Sequence, residues 1–304
     1  MTDLIRKLFM RIMFHDGFRR YGTNTIWLVA EKCIRLVFGF LVGIYVAKQL
    51  EPANYGLYNY VVSFTALLAI FTSFGLDSLL GRELVRYPDR QNELLGSAAF
   101  LRLCGFLLMP LLVILIAVFN SKVETSLFLF LVIIPGYGFQ IFQVLESWFQ
   151  ASVLGRYVAL SQIIALIAVS LCRFYFAWTL MPLWCFVAAE AAYMGLCVVG
   201  YCIFYRKCGG HITAWRVRPG TCFRLLSESW PYWIGGVAIL VYMRIDQVMI
   251  GNMVGDAANG YYSVAVRLVE IFYFIPSVVC TSFLPALLRS EEHTSELQSR
   301  LHLV

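Results

Sequence analysis

The sequence predicts an all-α fold, a polytopic bundle of transmembrane helices. Hydrophobic residues make up 60% of the 304 residues and charged residues only 14%, whereas a soluble domain has about 25% charged residues. Apolar segments close to the roughly 20 residues that a membrane-crossing helix requires recur along the chain. Eight such segments are predicted, and they lie at 24–47, 56–76, 97–119, 126–149, 158–179, 183–205, 230–250 and 260–284.

The first 23 residues are predicted to form a cytoplasmic amphipathic segment. Arg6, Lys7 and Arg11 interrupt the apolar core that a signal peptide needs. Apolar residues between Leu4 and Met13 nevertheless recur at helical spacing. This pattern is typical of a short helix that lies on the membrane surface.

The distribution of basic residues predicts the orientation in the membrane. Lys and Arg concentrate in the N-terminal segment and in every second loop after it, whereas the alternate loops hold only Lys48 and Lys122. Basic loops stay in the cytoplasm, so the N-terminus is predicted to be cytoplasmic and the natural setting is a bacterial inner membrane. The net charge of +6 is thereby explained by topology, and no nucleic-acid partner is expected.

The chain carries no pattern that predicts an enzyme, a metal site or a cofactor. The nine cysteines lie mostly in apolar segments without a CxxC pair, and the histidines are scattered. There is no phosphate-binding loop or nucleophile motif. The loops on the outer side are very short, which argues against a membrane glycan polymerase or a lipid-linked glycosyltransferase.

An internal repeat predicts two lobes. Leu50–Tyr58 and Val254–Tyr262 both fit the pattern [LV]-x-x-A-x-x-G-x-Y, 204 residues apart, and both follow an apolar span on the predicted outer side. Duplicated bundles of helices are common in secondary transporters. We therefore predict a first lobe of six helices (24–205), a basic cytoplasmic linker (206–229) and the first two helices of a second lobe (230–288).

Residues 289–304 differ abruptly in composition from the rest of the chain. RSEEHTSELQS at 289–299 resembles the in-frame translation of a sequencing adapter. We interpret 289–304 as a non-native tail and exclude it from the fold. The natural coding sequence is then expected to continue past residue 288.

Ionisable residues at membrane depth are the candidate functional residues. Each costs about 2.5–3.5 kcal/mol to insert at the centre of a helix, and such residues pair or face a water-filled cavity. Arg244 and Asp246 lie two residues apart in the seventh span and point away from each other, while Arg267 and Glu270 in the eighth span share a face. We predict that Arg244 faces a cavity and that Asp246 pairs with Arg267 or binds a proton or cation. Purely structural ion pairs are the alternative.

Two further sets of polar residues lie inside the first lobe. Arg173 and Glu190 are equally distant from the tight turn at 181–182, so we predict a structural ion pair between the fifth and sixth helices. Gln140 and Gln143 share a face of the fourth helix with Ser147. These side chains are predicted to form interhelical hydrogen bonds or to contact a polar substrate.

Four segments together resemble the polysaccharide-exporter family, specifically O-antigen flippases of the Wzx type. They are NTIWLVAEKCIRLVFGFLVGIYVAKQLEPANYGLYNY (24–60), FGLDSLLGRELVR (74–86), LESWFQA (145–151) and the stretch from SWPYWIGG to IP (229–276). The resemblance covers nearly all of residues 20–288. It implies the two-lobed exporter fold shared with multidrug and toxin extrusion transporters, with about twelve spans, of which this chain shows eight.

The resemblance also implies a function. Such proteins move undecaprenyl-diphosphate-linked oligosaccharide, the O-antigen or capsule repeat unit, to the outer leaflet by alternating access, beside membrane lipids and other polysaccharide-assembly proteins. A flippase for the peptidoglycan lipid precursor or a drug exporter of the same fold is the alternative, and a glycan polymerase is a more distant one.

Cations that could bind the pyrophosphate are predicted from the same resemblance. Lys32 and Arg35 in the first span join Arg244 and Arg267 as candidate substrate-binding residues. Glu31 lies four residues before Arg35, so the two can also pair within their helix. Asp246, Glu270 and Glu31 are the candidate coupling or ion-pairing carboxylates.

Overall fold

The computed structural model describes the backbone of residues 16–270 and 272, and the side chains from residue 26 onward within that range. Short 3₁₀ turns lie at Pro88–Arg90, Phe139–Gln143 and Ile212–Ala214, and the described residues contain no strand. The helices are α1 (Asp16–Ser73), α2 (Leu76–Arg86), α3 (Gln91–Phe119), α4 (Ser121–Thr125), α5 (Leu127–Gly138), α6 (Val144–Ala151), α7 (Gly155–Trp178), α8 (Leu183–Lys207), α9 (Pro219–Met253) and α10 (Asp256–Glu270).

Long apolar helices confirm the predicted all-α, multi-pass membrane class. Within the described part of the chain, five segments are long and apolar enough to cross a membrane. They match the predicted third to seventh spans and lie at Pro88–Phe119, Leu127–Ala151, Gly155–Trp178, Leu183–Lys207 and Pro219–Met253. Residues 1–15, most of the predicted eighth span after Glu270 and the tail at 289–304 lie outside the described residues.

The first two predicted spans belong to the single long element α1. Its one interruption is Glu51, whose φ of 62° and ψ of 162° are not helical. Pro52 follows at once, and proline is favoured at the first position of a helix because its fixed φ suits that position and no N–H is needed there. The stretch between the first two predicted spans, 48–55, is therefore helical apart from a one-residue break. At its other end α1 begins at Asp16, so no break marks the predicted boundary at residue 23.

The predicted linker at 206–229 is shorter than expected. Helix α8 runs to Lys207, and α9 begins at Pro219, eleven residues before the predicted start of the seventh span. Proline at the first turn again explains the start. The intervening backbone lies against α3, where the Arg216 N–H donates to the Asn92 carbonyl at 3.1 Å.

Buried apolar residues of six helices, α2, α3, α6, α7, α8 and α9, form a core within the described part of the chain. Helix α1 packs against α7 and α9, α7 packs against α8, and α8 packs against α5. The fully buried members of the core include Leu76, Leu79 and Leu80 of α2, Leu95 of α3, Val144, Leu145 and Phe149 of α6, and Leu225 of α9. The chain divides into two compact units, residues 1–263 and 264–304, and not within 206–229. The division into a six-helix lobe and a second lobe stays a prediction.

The two copies of the repeat contact each other through their glycines. A Cβ placed on Gly56 would lie 1.7 Å from the Asp256 carbonyl oxygen, and one placed on Gly260 would lie 2.0 Å from the Pro52 carbonyl oxygen. Positions 52 and 256, like 56 and 260, are equivalent under the 204-residue offset, so the contact is reciprocal. The buried Asn259 side chain closes it by donating to the Gly56 carbonyl at 2.8 Å. Only glycine permits this backbone approach.

We expect Gly56→Ala to destabilise the protein. The added methyl would overlap the Asp256 carbonyl, and overpacking of this kind costs about 1–3 kcal/mol. Thermal unfolding of the purified protein in detergent measures the effect.

Gly39→Ala is the matched control, because nothing lies within 4 Å of a Cβ at Gly39 in the same helix. That variant should be neutral or slightly stabilised. Equal melting temperatures for the two variants would contradict the close approach.

Candidate functional site

A polar cavity of about 200 Å³ opens among α1, α6, α7, α8 and the 3₁₀ turn at Phe139–Gln143. Its wall combines an arginine, carboxylates, amides and tyrosines, which is an unusual set between apolar helices. The polar residues that line it include Arg35, Gln140, Gln143, Glu146, Gln162 and Tyr201. A cavity with several convergent polar groups is the default candidate for a binding site.

Arg35 joins α1 to α7 at the cavity wall. Its Nε donates to Glu31 Oε1 at 2.6 Å, which completes an ion pair within α1. Its Nη2 donates to Gln162 Oε1 of α7 at 2.8 Å. The Arg35 side chain is 46% exposed whereas that of Glu31 is 6% exposed. The guanidinium is therefore held in place on one side and accessible on the other.

A relay of neutral groups leads from Gln162 to a carboxylate. The Gln162 Nε2 donates to the Tyr201 hydroxyl at 2.8 Å. That hydroxyl donates in turn to Glu146 Oε2 at 3.5 Å, and the Gln143 Nε2 donates to the same oxygen at 3.4 Å. The relay connects α7, α8 and α6 around the cavity.

Arg102 of α3 supports the far wall. The residue is 1% exposed. Its Nη1 donates to the Gln140 carbonyl at 2.9 Å and to Gln143 Oε1 at 3.4 Å, and its Nη2 forms an ion pair with Asp77 of α2. The acceptors belong to the 3₁₀ turn, where helical hydrogen bonding is poorer. Arg102 thus holds in place the backbone and side chains that present Gln140 and Gln143 to the cavity.

The structure brings Arg173 of α7 and Glu190 of α8 together as an ion pair. Tyr58 of α1 adds a third member, because its hydroxyl donates to Glu190 Oε2 at 3.1 Å. Glu190 also lines the cavity. The pair therefore belongs to the cavity wall as well as to the contact between the two helices.

Neither of the predicted site residues of α9, Arg244 and Asp246, is among the residues that line the cavity. Arg244 is half-buried, and no ion pair or hydrogen bond joins its side chain to another described residue. Asp246 accepts a hydrogen bond from the Tyr262 hydroxyl of α10, and Gln247 accepts one from Ser63 of α1 at 2.6 Å.

The remaining predicted residues stay predictions. Lys32 is exposed and is not among the residues that line the cavity. Arg267 and Glu270 are half-buried at the end of α10, in the second compact unit. The pairing of Asp246 with Arg267 likewise stays a prediction.

Sequence reasoning missed four residues of the polar network. Arg102 and Glu146 lie inside predicted apolar spans, so the argument that selected Arg244 applied to them equally. Gln162 and Tyr201 gave no comparable signal, because single amides and hydroxyls are common in membrane helices.

A comparison with family models assigns the chain to a family. Residues 21–291 match the family described as polysaccharide biosynthesis protein, and the chain belongs to that family. Its members are generally transporters. A comparison with curated proteins and one with solved structures gave no match. The chain is thus a multi-pass membrane protein of polysaccharide biosynthesis.

We expect Asp77→Ala to lower the free energy of unfolding by about 2–3 kcal/mol. The substitution leaves the buried Arg102 guanidinium without its carboxylate, and an unpaired buried charge is costly. The half-exposed position of Asp77 keeps the loss below that of a fully buried pair. Thermal or denaturant unfolding in detergent measures the change.

Arg218→Ala serves as the control, since the Arg218 side chain is 65% exposed in its pair with Glu93. Its loss should be about 0–1 kcal/mol. A larger loss for Arg218→Ala than for Asp77→Ala would refute the structural role of Arg102.

Proposed function

We propose that this protein flips undecaprenyl-diphosphate-linked oligosaccharide, an O-antigen or capsule repeat unit, from the cytoplasmic to the outer leaflet of the bacterial inner membrane. The observation that carries the proposal is the polar cavity inside an otherwise apolar bundle, with the accessible Arg35 guanidinium in its wall. Membership of the polysaccharide biosynthesis family supports the glycan as cargo.

The pyrophosphate of such a substrate requires cations. Arg35 has guanidinium donors beyond those bonded to Glu31 and Gln162, and arginine binds phosphate oxygens bidentately. Arg244 has no ion-pair partner among the described residues, so its charge is available to an anion. These two arginines are the proposed headgroup ligands, together with Arg267 and Lys32 as further candidates.

The sugar portion requires hydrogen-bonding partners in a wet cavity. Gln140, Gln143 and Gln162 each present an amide that can donate and accept. Tyr193 adds an aromatic side chain to the same wall. The lipid tail needs no cavity, because it remains in the bilayer throughout.

Alternating access requires a contact that opens. The reciprocal contact of Gly56 and Gly260 lies at the end predicted to be outer. Beside it Lys122 forms an ion pair with Asp256 at 2.5 Å and donates to the Gly251 carbonyl. We propose that these contacts close the outer end, and that Asp246 or Glu270 contributes to ion coupling when they open.

Substitution of Arg35 tests the proposed headgroup contact. Arg35→Ala should lower the rate of flipping at least about tenfold, since a hydrogen bond to a charged group is worth about 1.5–3 kcal/mol. Arg35→Lys should retain part of the flipping rate, because lysine keeps the positive charge but cannot bind phosphate bidentately as a planar guanidinium does. The assay uses proteoliposomes with a fluorescent lipid-linked oligosaccharide and protein expressed from the natural coding sequence.

Arg156→Ala is the control, because Arg156 is exposed and does not line the cavity. Equal rates for Arg35→Ala and the wild type would remove Arg35 from the site. Transport of peptidoglycan lipid precursor or of drugs in preference to the oligosaccharide would replace the proposed function with one of those two.

Removal of the Lys122 ion pair should loosen the predicted outer end. In Lys122→Met the Asp256 carboxylate and the Gly251 carbonyl lose their shared cation, so backbone amides at 250–260 should exchange several-fold faster with deuterium. Lys48→Met is the matched control, because Lys48 is exposed and has no ion pair within the described part of the chain. Unchanged exchange in Lys122→Met would exclude the ion pair as a closing contact.

A further inference from the structure

Glu146 differs from the other carboxylates of the cavity wall. Glu190 is paired with Arg173, and Glu31, beside the cavity, is paired with Arg35. Glu146 has no cation within ion-pair distance among the described residues. It is therefore the carboxylate lining this cavity that has no ion-pair partner among the described residues.

The hydrogen bonds that Glu146 accepts are long. Gln150, Gln143 and Tyr201 donate to its oxygens at 3.3, 3.4 and 3.5 Å, whereas bonds to a charged acceptor are normally about 2.7–2.9 Å. A carboxylate between apolar helices with weak donors and no cation is expensive to keep ionised. Protonation removes this free-energy cost, because the neutral acid carries no charge.

Two arginines determine which groups face Glu146. Arginine can only donate, so Arg102 fixes the Gln143 oxygen toward itself and turns the Gln143 NH₂ toward Glu146. Arg35 orients Gln162 in the same way, and the Gln162 NH₂ then occupies the Tyr201 oxygen. The Tyr201 hydrogen is left to point at Glu146.

This arrangement disfavours a metal cation and favours a proton. Sodium, calcium or magnesium would need several oxygen acceptors around it, but the groups that face Glu146 are N–H and O–H donors. A proton needs only the carboxylate oxygen itself.

We propose that Glu146 is a proton-binding residue that couples transport to a proton gradient, in addition to Asp246 or Glu270, an inference that rests on the proposed flippase function. A proton from water on the predicted outer side adds to the carboxylate, and the neutral acid releases it to water on the cytoplasmic side. Substrate moves in the opposite direction. The charge of Glu146 thus differs between the two access states.

Proton binding changes the cavity through Tyr201. The new O–H of Glu146 needs an acceptor, and the Tyr201 oxygen can accept it with its second lone pair, beside the bond from the Gln162 NH₂. The Tyr201 hydrogen then turns away from Glu146. Charged and titratable groups around Glu146 influence this step from four helices. They are Glu31 and Arg35 of α1, Asp77 of α2, Arg102 of α3, and Tyr193, Cys197 and Tyr201 of α8.

The experiment measures flipping in proteoliposomes with and without an imposed pH difference of about two units, while a trapped dye reports proton movement. The natural protein should flip faster with the gradient and move protons only when substrate is present. In Glu146→Gln, which resembles the protonated acid in shape, the ratio of the two rates should fall to about one and substrate-dependent proton movement should be lost.

Two further variants separate coupling from folding. Glu146→Asp keeps a titratable group and should respond to the gradient with a shifted pH profile. Glu124→Gln removes an exposed carboxylate far from the cavity wall and should behave as the natural protein does. Melting temperatures measured in detergent show that each variant is folded.

The outcomes distinguish this inference from the function on which it rests. Flipping by the natural protein without any response to the gradient, or a Glu146→Gln variant that responds fully, overturns the role of Glu146 and leaves the flippase function intact. Absence of flipping by the natural protein overturns both.

Discussion

An arginine cannot lose its proton inside a protein, so every guanidinium placed between apolar helices must be met by acceptors. Arg35, Arg102 and Arg173 impose this requirement on the interior of the bundle. Each finds a partner outside its own helix, namely Gln162, the Gln140 carbonyl and Glu190, although the buried Nε atoms of Arg102 and Arg173 have no hydrogen-bond partner among the described residues. Arg35 lines the cavity, and Arg102 holds the turn that presents Gln140 and Gln143 to it, so the directions in which these two arginines donate determine part of its hydrogen-bonding pattern.

The second constraint is the close approach of two backbone segments, one from each copy of the repeat. Gly56 and Gly260 allow α1 and α10 to come within contact of each other's carbonyl groups, and the buried Asn259 satisfies one of those carbonyls. Packing between membrane helices depends on such small residues, because lipid supplies no hydrophobic drive for association. A contact built mostly from backbone approach and one ion pair can break and re-form, as the proposed alternating access requires.

The arginine contacts and the glycine contact lie in different parts of the bundle, so we assign them different roles. The arginines contribute to the wall of the cavity among α1, α6, α7 and α8, whereas the repeat contact and Lys122 are proposed to close the predicted outer end. Among the described carboxylates that line the cavity, Glu146 is the one without an ion pair, and this is the basis of its proposed role in coupling. Substrate binding, access and coupling can then be altered by different residues of one protein.

The sequence by itself determined the class of the protein. Apolar segments of bilayer length predicted the third to seventh spans, because in lipid the backbone can satisfy its hydrogen bonds only as helices, and the 204-residue offset of the repeat identified the glycines that later proved to touch. The tertiary structure alone decided which polar residues share a cavity. In the sequence, Arg102 and Glu146 are isolated charges in apolar segments, and Gln162 and Tyr201 are ordinary polar residues. Their hydrogen bonds join residues that are far apart in the sequence, so no local pattern relates them. Helical periodicity says which face a residue occupies but not which helix lies against that face.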